Sequence, residues 1–87
     1  MNDISDGWRS QLASDIERDG MGLELIDPSG AVVAEIFRCD SSKTVIVTTF
    51  NNDIPLEIFD YYYQEAFIRL DPFEDGSSFA SVGISHG

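Results

Sequence analysis

Short apolar runs alternate with turn-forming clusters along the chain, and the period of those runs sets the first expectations. Near the N-terminus Trp8, Leu12 and Ile16 recur every fourth residue, with Ala13 beside Leu12, while Gln11, Asp15 and Arg18 fall elsewhere. This spacing predicts a short amphipathic helix. Ser5 or Asp6 would cap its first N–H groups, and Gly20 would end it in a left-handed conformation. Three antiparallel strands are expected next, Met21 to Ile26, Ala31 to Cys39 and Thr44 to Phe50, the last dense in β-branched residues. Asp27-Pro28-Ser29-Gly30 joins the first pair: proline fixes φ, aspartate caps its own turn and glycine accepts a positive φ. Asp40-Ser41-Ser42-Lys43 joins the second pair. Both connections are of hairpin length, so a meander is the simplest topology.

Pairing Ile26 with Ala31 and Cys39 with Thr44 sorts the strands into two faces. One collects Met21, Leu23, Leu25, Val32, Ala34, Ile36, Val45 and Val47, and is expected to be the core. The other collects Glu24, Ile26, Val33, Glu35, Phe37, Ile46, Thr48 and Phe50, a mixture of acidic, aromatic and aliphatic groups. A slip of one residue would exchange the two faces.

After Asn51-Asn52-Asp53, Pro55 stands at a first-turn position where its missing N–H costs nothing. The spacing of Leu56, Phe59, Tyr63, Ala66, Phe67 and Leu70 predicts a helix over 56–70 with these residues as its core stripe. Pro72 ends it by disfavouring a helical Asp71. Residues 73–87, rich in Gly and Ser, read as an acidic tail in which the segment from Phe79 to Ile84 could pack as an arm. The expectation is one α+β domain over residues 1–72. Its order is α-β-β-β-α, a three-stranded antiparallel meander with the long C-terminal helix on one face.

Charge narrows the partners. Among 87 residues, 16 are Asp or Glu and 5 are Lys or Arg, a formal net charge of −11. Such a chain repels phosphates and anionic lipid, so neither nucleic acid nor a membrane surface is expected as a direct partner. No apolar run approaches the roughly 20 residues of a membrane span, and no basic region followed by a hydrophobic stretch opens the chain. With a single cysteine as well, a reducing cytoplasm is the expected compartment.

Candidate chemistry is sparse. The one histidine, His86, sits beside the C-terminus, far from any expected nucleophile. Cys39 has no neighbouring cation in a redox pattern and reads as a structural thiol. Glu24 and Glu35 share a sheet face, and proximity of that kind can tune a carboxyl group, although a solvated strand face is the plainer reading. The run from Asp71 to Gly76 resembles a calcium loop, but Phe73 and Val82 occupy positions that need oxygen ligands. Gly20-Met21-Gly22 precedes a strand instead of opening a helix, so it lacks dinucleotide-loop geometry. No cofactor and no metal are expected.

What remains is surface. The long helix carries a second apolar stripe, Ile58, Tyr61 and Ile68 with Tyr62 alongside, and the mixed sheet face adds Val33, Phe37 and Phe50. These residues form the candidate interface. Their cover is either the rest of the chain, through the first helix and tail, or another protein, including a second copy stacked sheet to sheet. Aromatic anchors ringed by carboxylates suit a partner with a basic surface. The expectation is therefore a non-catalytic binding module of inhibitor or immunity type. The alternatives are a nucleic-acid mimic, and a small enzymatic or ligand-binding domain using the mixed face.

Overall fold

A computed structural model describes residues 2–50 and 53–84, with side chains from Ile4 onward. Strands β1 (Asn2–Ser5), β2 (Trp8–Asp15), β3 (Gly20–Ile26), β4 (Val32–Cys39) and β5 (Thr44–Thr49) precede helix α1 (Leu56–Leu70) and a 3-10 turn at Phe79–Val82. The strands form one antiparallel sheet in the order β1-β2-β3-β4-β5. The α+β class and the meander stand, but the sheet has five strands among the described residues, and no helix precedes it.

The first expected helix is a hairpin because a spacing of four belongs to both periods. Residues i and i+4 share a face in a helix and also in a strand. What separates the two is the turn at Asp6-Gly7, where φ is 52° and 86° and Ser5 pairs with Trp8. Two adjacent residues with positive φ make the tight hairpin turn that Asp-Gly favours. Along β2 Trp8, Ser10, Leu12 and Ser14 then share one face, and Ser10 is wholly buried opposite Leu25. The expected turn at Asp27–Gly30 forms: the Asp27 carboxylate accepts hydrogen bonds from Ser29 N at 2.9 Å, Ser29 Oγ at 2.6 Å and Ala31 N at 3.0 Å.

The expected core face is largely the observed one. Leu23 pairs with Ile36 and Leu25 with Ala34, and all four are buried under α1. Ile26, however, pairs with Val32 and not Ala31, with a register irregularity between Leu25 and Ile26. The extra residue of this bulge brings Val33 into the core and leaves Val32 on the surface.

Helix α1 buries Ile58, Tyr62, Ala66 and Leu70, with Phe59, Tyr63 and Phe67 half-buried beside them. This corrects the expected stripe: Leu56 is 81% exposed, and the row of Ile58 and Tyr62 faces the sheet. The helix is apolar on more than one side, so its periodicity left the rotation open. Tyr62 fixes it, because its hydroxyl donates to the Leu23 carbonyl from a fully buried position. Burial holds this phenol well above its ordinary pKa.

The residues after Pro72 fold back. Phe73 and Phe79 are buried in the core, and Phe79 meets Phe67 edge to face with ring centroids 5.5 Å apart. Arg38 ties this return to the sheet. Its Nη1 donates to the Leu70 carbonyl at 2.8 Å and the Pro72 carbonyl at 3.1 Å, and Asp40 takes the other side of the guanidinium. Asp40 also accepts the Glu74 N–H at 2.8 Å.

Two predictions follow from these contacts. Tyr62→Phe removes one buried donor and leaves the Leu23 carbonyl without it, so the unfolding free energy should fall by about 1–2 kcal/mol in a urea titration. Asp27→Asn should lower the melting temperature at neutral pH. The turn's hydrogen bonds, that from Ser29 first, hold the Asp27 pKa below its unfolded value. Their stabilisation is therefore present above about pH 3.9 and lost as pH falls through the folded value, so the gap between variant and parent should close in acid.

Candidate functional site

Over β3 and β4 the outer face of the sheet is closed by the chain itself. Gly20 and Gly22 have no side chains there, and Phe37 and Glu35 of β4 lean across the space they leave. A Cβ on Gly22 would come within 2.8 Å of Glu35 Oε2, and one on Gly20 within 2.8 Å of the Phe37 ring. Arg18, from the β2–β3 turn, lies 4.0 Å above the Phe37 ring centroid. The same guanidinium grips both Glu35 oxygens at 2.9 Å and reaches Asp15 at 2.5 Å. Those two carboxylates raise its pKa further, Glu35 more than Asp15. Glu24 stands directly opposite Glu35 and accepts a hydrogen bond from Gln11 at 2.7 Å. The expected pair of glutamates is thus divided between two neighbours.

The candidate interface residues separate accordingly. Ile58, Tyr62 and Val33 belong to the core, and Phe37 lies buried beneath Arg18. Tyr61, Ile68 and Phe50 remain on the surface, 55%, 70% and 45% exposed. Tyr61 and Ile68 come together, with Gln64 and Glu65 between them, around a shallow cleft of about 210 Å³ on the solvent side of α1. Glu57 and Asp60 are exposed on the same helix.

Sequence reasoning found the outer strand and put Ile46 on its mixed face, but it left Ile46 out of the candidate interface and placed Val47 in the core. Val47 is 51% exposed, because α1 packs chiefly against β1, β3 and β4 and leaves β5 overhanging, and Ile46, opposite Phe37 on the outer face, is 48% exposed. The signal was present: Thr44-Val45-Ile46-Val47-Thr48-Thr49 has the composition of a buried strand without charge, Pro or Gly.

The cations are nearly all engaged. Arg18 pairs with Asp15 and Glu35, Arg38 with Asp40, Lys43 with Asp75 and Arg69 with Glu65. Carboxylates, paired and unpaired, outnumber cations on the surface. Asp19, Asp40, Glu74 and Asp75 line an open notch of about 280 Å³ beside the β4–β5 turn. No group of metal-ligating side chains forms among the described residues. Cys39, at the end of β4, approaches Ser41 Oγ at 3.4 Å, and hydrogen bonds from Ser41 and then Ser42 lower its thiol to about 7. No second thiol accompanies it, since the chain has one cysteine, and His86 lies outside the described residues. No described helix is long and apolar enough to cross a membrane.

Comparison with known proteins finds no match among family models, curated proteins or solved structures.

Arg18→Ala should uncover Phe37 and release Glu35, lowering the melting temperature and increasing the fluorescence of a dye that binds exposed apolar surface. Arg18→Lys should recover only part of the loss, since an ammonium cannot bridge both Glu35 oxygens while stacking on the ring.

Proposed function

We propose that the protein is a non-catalytic, acidic protein-binding module of inhibitor or immunity type, acting on a partner with a basic surface. The observation that carries this reading is the solvent side of α1. Tyr61 and Ile68 stand there as large exposed anchors beside Glu57, Asp60 and Glu65. A tyrosine with an aliphatic neighbour supplies contact area at low cost in side-chain entropy. The surrounding carboxylates speed encounter with a cationic partner and repel anionic ones. The excess of 16 acids over 5 Lys and Arg sets this bias, and Arg18, Arg38, Lys43 and Arg69 are each already paired with a carboxylate of the same chain. The working compartment on this reading is the cytoplasm, and a second copy of the chain is the other partner it admits.

A nucleic-acid mimic is the second reading. The convergence of Asp19, Asp40, Glu74 and Asp75 on one notch favours it, since a mimic needs carboxylates grouped as phosphates are. Two of these, Asp40 and Asp75, already hold cations of the same chain, which weakens the resemblance to free phosphate.

Partner capture from a lysate at low and high salt separates the readings. Tyr61→Ala combined with Ile68→Ala should keep the parent melting temperature, both residues being exposed, and lose the captured partner. Capture that survives the double substitution, or vanishes entirely in high salt, would instead favour the charge-dominated mimic.

A further inference from the structure

The two edges of the sheet are built differently. β1 is four residues long, has a register irregularity between Asp3 and Ser5, and is followed by Asp6. Shortness, irregularity and charge all discourage another strand from adding to an edge. β5 has none of these features. It spans six residues, pairs with β4 without a register shift, and carries no charge, Pro or Gly.

The hydrogen-bonding parity of β5 follows from its inner side. Phe50 N donates to the Val33 carbonyl at 3.0 Å, and the register runs unbroken from Ala34–Thr49 to Cys39–Thr44. Backbone groups alternate in direction along a strand, so Thr44, Ile46 and Thr48 bond to β4. The N–H and C=O groups of Val45, Val47 and Thr49 point outward, where no described strand pairs with them.

We propose that β5 pairs antiparallel with β5 of a second copy, on a two-fold axis at Ile46, joining the two sheets edge to edge. The strand is self-complementary in this register. Ile46 faces the partner's Ile46 as a close, non-hydrogen-bonded pair. Val45 and the partner's Val47 exchange backbone hydrogen bonds. Thr44 meets the partner's Thr48 on the same face as Ile46. Each is a β-branched cross-strand pair of the favourable kind. Residues 41–52 contain no carboxylate, so two chains of net charge −11 meet along a strip without acids. This dimer is independent of any basic partner on α1. A contact of this length falls below the roughly 1,200 Å² of standard interfaces, so a weak, concentration-dependent dimer is expected.

Salt distinguishes the two kinds of association. Screening relieves repulsion between like-charged copies, so the dimer should tighten severalfold between about 0.15 M and about 1 M salt, whereas binding of a cationic partner would weaken over the same range. Sedimentation velocity over a concentration series should show a monomer–dimer equilibrium for the parent. Ile46→Lys should shift it to monomer without loss of melting temperature, with Thr48→Lys as the second variant should the first fold poorly. With Cys39→Ser as background, Ile46→Cys should form a disulfide-linked dimer under mild oxidation, because the paired Cα atoms would lie about 4.5 Å apart. A parent that stays monomeric at every concentration and salt would overturn the proposal. So would a dimer that survives Ile46→Lys without cross-linking at Ile46→Cys. A monomer that loses a captured basic protein on Ile46→Lys would assign the edge to that protein instead.

Discussion

Arg38 is the contact on which the architecture turns. A sheet covered by a single helix must keep that helix in place, and α1 ends at Leu70 with carbonyls that have no partner inside the helix. Arg38, half-buried on β4, donates to the Leu70 carbonyl and to that of Pro72 just beyond it. Asp40 neutralises its charge and accepts the Glu74 N–H. One guanidinium thereby fixes the helix end and the start of the returning chain to the sheet. Phe73 and Phe79 are delivered to the core by that return, so residues beyond the helix become part of the domain.

The same economy of cations shapes the surface. With 5 Lys and Arg against 16 acids, each internal ion pair engages one charge of either sign and leaves the net charge of −11 unchanged. Arg18 does so while shielding Phe37, and Lys43 while pinning Asp75. Four of the five cations are engaged in closing the fold, and the excess of acids keeps the exterior anionic. The price is self-repulsion, which added salt relieves. Apolar exposure then concentrates where the helix does not reach, on β5, and where it faces solvent, at Tyr61 and Ile68.

Much of the central sheet was legible in the residues. The Asp-Pro-Ser-Gly turn, the strands on either side of it, the helix bounds at Leu56 and Leu70 and most of the core face follow from local chemistry and period. The N-terminal hairpin did not, because Trp8 and Leu12 satisfy both periods, although Asp6-Gly7 carried a hairpin signal. Among the candidate interface residues, Tyr61, Ile68 and Phe50 lie on the surface, whereas Ile58, Tyr62, Val33 and Phe37 are buried within the chain.

The division has a physical basis. Turn chemistry and strand propensity act over a few residues, so the sequence alone placed β3, β4 and β5 to within a residue at each end and both bounds of α1, along with an electrostatic field fixed by composition. The rotation of α1 was decided only in three dimensions. Two adjacent apolar rows compete for the sheet, and the buried hydroxyl of Tyr62 selects one through a carbonyl 39 residues away. The overhang of β5 and the closure of Arg18 over Phe37 likewise depend on elements distant in sequence. Periodicity reports that a residue is apolar; only packing decides what covers it.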